Sequence, residues 1–175
     1  MSSIAIKSRA IYIDDMKKAS TPKARDPVAP TADPMEGFLC FAVYSTGLLF
    51  NRVYKPLLDE LGLTYPQYLA MILLHQQDNQ TVGELGEKLF LESNTLTPLI
   101  KRLEVAGFVT RRRDTADERV VRVSLTDKGR NVSERAACLP EEILKATGVS
   151  AEELAKVQKA LVTIRGNLRA AAGED

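Results

Sequence analysis

The chain has 175 residues, 45% of them hydrophobic and 27% charged, with 24 Lys/Arg against 23 Asp/Glu. That length suits one domain of ordinary size, or one domain with a tail, and supplies enough apolar material for a core. No window approaches the roughly 18 uninterrupted apolar residues of a membrane span, and Asp14 and Asp15 interrupt any secretory pattern, so a cytoplasmic protein is expected.

Two cysteines, Cys40 and Cys138, are too few for a disulfide scaffold and leave either structural or redox-active thiols. One histidine, His75, with two distant cysteines gives no metal-ligand cluster, so neither a metal nor a cofactor is expected. His75 is expected on an exposed helix surface. Residues 38–100 hold three Lys/Arg against six Asp/Glu, whereas 101–130 hold nine against five. A local positive excess is what a phosphate-contacting surface needs, although a solvated face carries the same signature.

Residues 1–35 are compositionally apart. "STPKARDPVAPTADP" has four prolines in fifteen residues and no hydrophobic periodicity, which predicts a disordered or loosely attached tail. Met16 and Met35 are candidate internal start sites. From Phe38 to Leu61 apolar residues recur at helical spacing, and Gly62 ends the segment. "FLCFAVYS" at its start places Cys40 among large apolar residues. Composition alone leaves two readings open, a small buried hydrophobe or a reactive thiol.

Thr64-Tyr65-Pro66-Gln67 is a capping box with an early proline, opening a second helix through "YLAMILLHQQ". Thr81-Val82-Gly83-Glu84 is another, starting a short helix with Val82, Leu85 and Leu89 on one face. "LESNTLTPLIKRLEVAG" then predicts a helix closed by Gly107, with Leu96, Leu99, Ile100 and Leu103 inward. The period changes in "FVTRRR" and "RVVRVSL", two partly alternating runs around a polar "DTADE" tip, which is a hairpin signature. Thr126 caps a further helix that Pro140 breaks or kinks. Ser150 caps the last, where Leu154, Val157, Leu161, Ile164 and Leu168 form a stripe suited to packing on another helix.

The fold class is therefore mainly α with a small β-hairpin wing. Helix, turn, helix and two-stranded wing make a winged helix-turn-helix over 63–126, flanked by helical regions at 36–62 and 127–172. Such a fold implies double-stranded DNA as partner. On the second helix of the motif the outward residues are Ser93, Asn94, Thr95, Thr97, Lys101 and Arg102. The small polar groups suit base edges and phosphates, and Lys101 and Arg102 suit backbone anchoring. Helix capping and solubility explain the same residues. Pro98 requires either a cap nearer Asn94 or Thr95, or a distorted first turn. In the wing, Arg111, Arg112, Arg113 and Arg119 surround Asp114, Asp117 and Glu118. Arginine at a wing tip can enter a narrow minor groove, and Asp117 is the candidate to hold the Arg119 side chain.

"QTVGELGEKLFLE" followed by "SNTLTPLIKRLEVAGFVTRRRDTADERVVRVSLTDKG" resembles the MarR family of dimeric winged-helix repressors, which implies that the helices of 36–62 and 127–172 form a dimerisation region. "FLCFAVYS", "YKPLLDELGLTYPQYLAMILL" and the Thr-Leu-Thr-Pro start of the recognition helix resemble its organic hydroperoxide resistance regulators, over roughly residues 36–170. The resemblance implies that Cys40 is the peroxide-reactive thiol and that Tyr54 and Tyr65 hydrogen-bond to it, with Tyr44 as a third, less uniform partner. Phenol donors and the positive end of a helix both favour the thiolate, the form that attacks a peroxide. Apolar neighbours favour organic hydroperoxides over hydrogen peroxide.

The resemblance also implies that Cys138, in the helix after the wing, resolves oxidised Cys40 through a disulfide across a homodimer interface. An inert thiol at 138 is the alternative. The implied function is a repressor that leaves its operator on oxidation, not an enzyme. Two other readings stand beside it. One is a MarR-type repressor answering to a small aromatic ligand; the other is a thiol peroxidase, which the missing thioredoxin-like pattern and Cys-x-x-Cys disfavour.

Overall fold

The computed structural model describes residues 34–173; the sequence expectations for residues 1–33 lie outside them. A short 3-10 turn, Pro34–Gly37, leads into α1 (Leu39–Asp59). There follow α2 (Tyr65–Gln76), β1 (Gln80–Thr81), α3 (Val82–Leu89), α4 (Ser93–Val105), β2 (Val109–Arg113) and β3 (Val121–Leu125). The chain continues through α5 (Asp127–Ala136), α6 (Leu139–Thr147) and α7 (Ala151–Ala172). The described residues divide into two compact units, 34–140 and 141–173. The expected boundaries at 62/63 and 126/127 fall inside the first unit, where α5 packs on α2 and β3.

Within 34–140 the elements follow from local chemistry. Gln67 accepts from the Thr64 backbone N–H at 2.8 Å and from its hydroxyl at 3.0 Å, opening α2. Thr81 and Glu84 complete the reciprocal box at α3, with bonds of 2.6 and 3.1 Å. Gly62 and Gly107 take the left-handed conformation past the ends of α1 and α4, at φ +68 and +77.

The core is built by α2, α3, α4 and the sheet. Met71, Leu74, Leu85, Leu96, Ile100 and Leu103 are at most 1% exposed. Each such side chain stabilises the fold by about 1.5–3 kcal/mol relative to exposure. The sheet is antiparallel in the order β1-β3-β2. Val109 pairs with Leu125 and Arg111 with Val123, so the alternating pattern turns Val109, Val123 and Leu125 inward. The sequence predicts only the hairpin. β1, which pairs Gln80 with Val123, is an addition whose partner lies far along the chain.

α5 docks on the backbone at the start of β2. Thr126 caps it by accepting from the Gly129 N–H at 3.0 Å, and the same hydroxyl donates to the Gly107 carbonyl at 2.7 Å. A Cβ on Gly129 would lie 2.0 Å from the Phe108 carbonyl oxygen, so only glycine fits. Beyond it the helix is broken near Pro140, as expected, and becomes two. α5 stops at Ala136, and α6 restarts at Leu139, with Pro140 in its first turn where no N–H is needed. Cys138, expected inside a helix, therefore lies in the turn between α5 and α6, because Pro140 cannot donate to the Ala136 carbonyl.

In the second unit, Ser150 and Glu153 form the capping box of α7, whose N–H of Glu153 donates to the serine hydroxyl at 3.3 Å. No residue of α7 is buried, and the stripe of Val157, Leu161, Ile164 and Leu168 is exposed.

Candidate functional site

The helix-turn-helix is α3 and α4, joined by a tight turn through Phe90 at φ +57. The Leu91 N–H donates to the Gly86 carbonyl at 3.0 Å, and a side chain on Gly86 would meet the Leu91 carbonyl at 2.9 Å. α4 begins at Ser93 with Glu92 as its N-cap, not at Asn94 or Thr95. The Glu92 carbonyl accepts from both Thr95 and Leu96, at 3.0 and 2.9 Å, which tightens the first turn. Pro98 lies inside the helix and supplies no N–H to the Asn94 carbonyl.

Ser93, Asn94, Thr95, Lys101 and Arg102 are exposed, and Thr97 is half-buried. The Asn94 amide is held on both sides: its nitrogen donates to the Glu92 carboxylate at 3.2 Å and its oxygen accepts from the Thr95 hydroxyl at 3.1 Å.

The wing differs in detail from its sequence expectation. Asp117 does not hold the Arg119 side chain; its carboxylate accepts from the Arg119 backbone N–H at 2.9 Å, closing a local turn. Asp114 is the acid that pairs with a guanidinium, that of Arg122. Arg122 also donates to the Asn79 carbonyl at 3.1 Å. Arg111, expected at the DNA surface, lies half-buried against Glu104 of α4, with bonds of 2.8 and 2.7 Å. The Arg111 hydrogen bond holds the Glu104 carboxyl below its ordinary range. Arg112, Arg113 and Arg119 are exposed and have no ion pair among the described residues.

At the base of the hairpin, Asp78 accepts from the Leu125 N–H at 2.9 Å and from Arg130 at 2.6 Å. Partial burial pushes its carboxyl up, but these bonds outweigh that and hold it below the ordinary range. Sequence reasoning missed Asp78, Asn79 and Arg122, and named Asp114 without its partner, since each pairs with a residue distant along the chain or across the hairpin.

Cys40 occupies the first turn of α1, exposed, beside Phe38 and Leu39 at 60% and 61% exposure. Tyr44 follows one turn later and is exposed too. The other tyrosines form a cluster between α1 and α2. The rings of Tyr54 and Tyr65 lie 4.8 Å apart, Tyr54 and Tyr68 5.6 Å, and Tyr65 and Tyr68 6.0 Å. Burial raises the Tyr65 phenol above its ordinary value, so it remains a protonated donor at neutral pH. Tyr68, three residues from Tyr65 and so on the same helix face, is the member sequence reasoning passed over.

Cys40 and Tyr54 stand fourteen positions apart on one unbroken helix, a rise of about 21 Å. One chain therefore does not bring the thiol to Tyr54 or its cluster. Cys138 is exposed, and its Sγ lies 3.1 Å from the Arg135 carbonyl; both cysteines are free thiols. A cavity of about 290 Å³ between the end of α1 and the start of α2 is bounded by Lys55, Leu58 and Tyr65 among others. Among the described residues no helix is long and apolar enough to cross a membrane, and no group of three His, Cys, Asp or Glu is placed to hold a metal.

A tight helix-turn-helix followed at once by an antiparallel hairpin is the architecture of a winged-helix DNA-binding protein. Residues 52–136 match the family described as transcriptional regulator SarA/Rot. The HTH-type transcriptional regulator TtmR of Methylorubrum extorquens is 45% identical over 139 residues, covering 79% of this chain and 71% of TtmR. The organic hydroperoxide resistance transcriptional regulator of Bacillus subtilis is 45% identical over 130 residues, covering 74% and 88%. Reduced AbfR bound to DNA matches with a TM-score of 0.57 at 39% identity, over 71% of this chain and 90% of AbfR, a Staphylococcus epidermidis protein. The chain belongs to the MarR family of winged-helix transcriptional regulators, in its organic hydroperoxide resistance branch.

Proposed function

We propose that this chain is a homodimeric, peroxide-sensing repressor that binds operator DNA when Cys40 is reduced and releases it when Cys40 is oxidised. The observation that carries the reading is the separation of the exposed Cys40 from the tyrosine cluster along one rigid helix. A thiol on an apolar, uncovered helix face and phenols about 21 Å further along it are complementary halves, which two antiparallel copies of α1 would join. The uncovered stripe of α7 supports the same dimer. The Bacillus relative's name and the reduced, DNA-bound AbfR structure support peroxide as inducer and DNA as partner.

In the chemistry proposed, the Cys40 thiolate attacks the terminal oxygen of an organic hydroperoxide. The O–O bond breaks, the thiolate becomes sulfenic acid and the alcohol leaves with a proton from solvent. Phenols of the second copy's Tyr54 and Tyr65, with Tyr44 beside them, donate hydrogen bonds to the sulfur. Cys138 of the second copy then attacks the sulfenic sulfur, forming a disulfide and releasing water. Its exposure in a turn supports access, and a disulfide has also been seen in AbfR. The required approach of the two sulfurs would shift the recognition helices out of register with their half-sites. Low-molecular-weight thiols return the protein to the reduced state.

Operator binding with and without cumene hydroperoxide tests the reading, comparing wild type with Cys40→Ser. Wild type should release DNA after one oxidation per thiol, and Cys40→Ser should hold it. Release by Cys40→Ser on oxidation would refute the sensor. The cavity beside Tyr65 favours one second reading, release by a small aromatic ligand. It predicts that such a ligand frees DNA equally well from Cys40→Ser.

A further inference from the structure

Resting on the DNA-binding reading, we infer that the wing's five arginines fall into two groups. Arg122 and Arg111 position the hairpin, and only Arg112, Arg113 and Arg119 meet phosphate. Arg122 is clasped from two sides, by the Asp114 carboxylate at the start of the hairpin loop and by the Asn79 carbonyl in the turn before β1. Asp114 is only 14% exposed, and its second oxygen accepts from the Ala116 N–H at 2.8 Å. The pair thus joins both strands of the wing and its loop to the 77–80 turn, which ends on the buried Gln80.

Arg111 makes the equivalent connection to α4. Two of its nitrogens reach one oxygen of Glu104, which seats β2 on the recognition helix. The register explains why neutralisation is needed. Arg112 stands directly opposite Arg122, and two unpaired like charges in that position would push the strands apart. Asp114 removes the conflict and leaves the Arg112 charge outward.

A guanidinium held by a carboxylate and a carbonyl contributes no net charge to a DNA-facing surface. It would have to give up both bonds to reach a phosphate, and it releases no counterion on binding. Arg112, Arg113 and Arg119 are under no such constraint, and the Arg119 backbone is fixed by Asp117. The hairpin therefore presents its three exposed cations from a frame held by the other two.

The test uses the full chain and a duplex that wild type selects from a random-sequence pool, with affinity measured by anisotropy across about 50–200 mM salt. Arg112→Ala, Arg113→Ala and Arg119→Ala should each flatten the log-affinity against log-salt slope by about one. Arg122→Lys and Arg122→Ala should weaken binding about tenfold with the slope unchanged. Asp114→Asn is decisive because it removes a negative charge from the wing. Plain electrostatics predicts tighter binding, whereas loss of the clasp predicts binding about tenfold weaker, again at unchanged slope.

Asp114→Asn binding as tightly as wild type, or a slope flattened by about one in Arg122→Ala, would overturn the separation into two groups. Thermal unfolding of each variant separates a misfolded protein from a loosened wing. Arg122→Lys retains the charge but not the two-sided clasp, so wild-type affinity in that variant would overturn the inference even where Arg122→Ala does not fold. A wild-type protein that selects no duplex would sink the DNA-binding reading itself, and this inference with it.

Discussion

Replacing Gly129 with alanine should damage the protein, although alanine is the better helix former. In α5 the substitution alone would gain about 1 kcal/mol of helix propensity. Against this, the new Cβ would stand 2.0 Å from the Phe108 carbonyl oxygen and 2.9 Å from its carbon. Neither atom belongs to a flexible side chain. α5 would have to withdraw from the start of β2 by more than about 1 Å to restore an ordinary contact. That movement stretches the Thr126 N–H to Phe108 bond, now 3.0 Å, and the Thr126 hydroxyl to Gly107 bond, now 2.7 Å.

Overpacking costs about 1–3 kcal/mol and each lost hydrogen bond about 1 kcal/mol, so the net loss is about 2–4 kcal/mol. At fixed protein concentration the midpoint should fall by roughly 10 °C. Thermal unfolding followed by circular dichroism measures it. Gly83→Ala is the control, since its new Cβ meets only the Thr81 hydroxyl at 3.8 Å, and it should be neutral or slightly stabilising. A Gly129→Ala protein melting at or above wild type would refute the steric argument.

Other expectations concern charge, thiols and assembly. Asp78 has a folded pKa held below its unfolded value near 3.9, so its contribution is present above that value and lost as pH falls through the folded one. The stability gap between wild type and Asp78→Asn, from urea unfolding, should be widest near neutrality and close below about pH 4; a constant gap would refute this. Tyr65 has the opposite sign: burial raises its pKa, so its phenol favours the unfolded state increasingly above about pH 10, and Tyr65→Phe should lose less stability there. On non-reducing gels, organic hydroperoxide should crosslink wild type into dimers but leave Cys138→Ser monomeric. Leu161→Glu, on the exposed face of α7, should shift sedimentation toward monomer and reduce operator affinity at a given protein concentration.

What could be read from the sequence was what neighbours in the chain decide. The capping boxes at Thr64, Thr81 and Ser150 each involve residues three apart, and all three open helices. Leu96, Leu99, Ile100 and Leu103 are buried as their spacing predicts, because one face of a helix meets one environment. Pairings across the hairpin were not legible in the same way. Asp117 and Arg119 are close in sequence and suggested a side-chain pair, yet Asp114 reaches Arg122 because antiparallel strands bring the two ends of a loop together. β1 needed Val123 as its partner, and no local pattern announces that. Nor could spacing tell whether the apolar face around Cys40 is covered by its own chain. Among the described residues that face is exposed.

The length of α1 also has a consequence for dosage. A lone chain holds its thiol and the Tyr54 phenol at distant stations of one rod and does not join them. Sensitivity to peroxide, on the proposed reading, becomes a property of the encounter between two molecules and is diluted away below the dimer's dissociation constant. Cellular abundance would then tune how readily the alarm sounds. A mutation anywhere along the shared face could blunt the response without touching the cysteine.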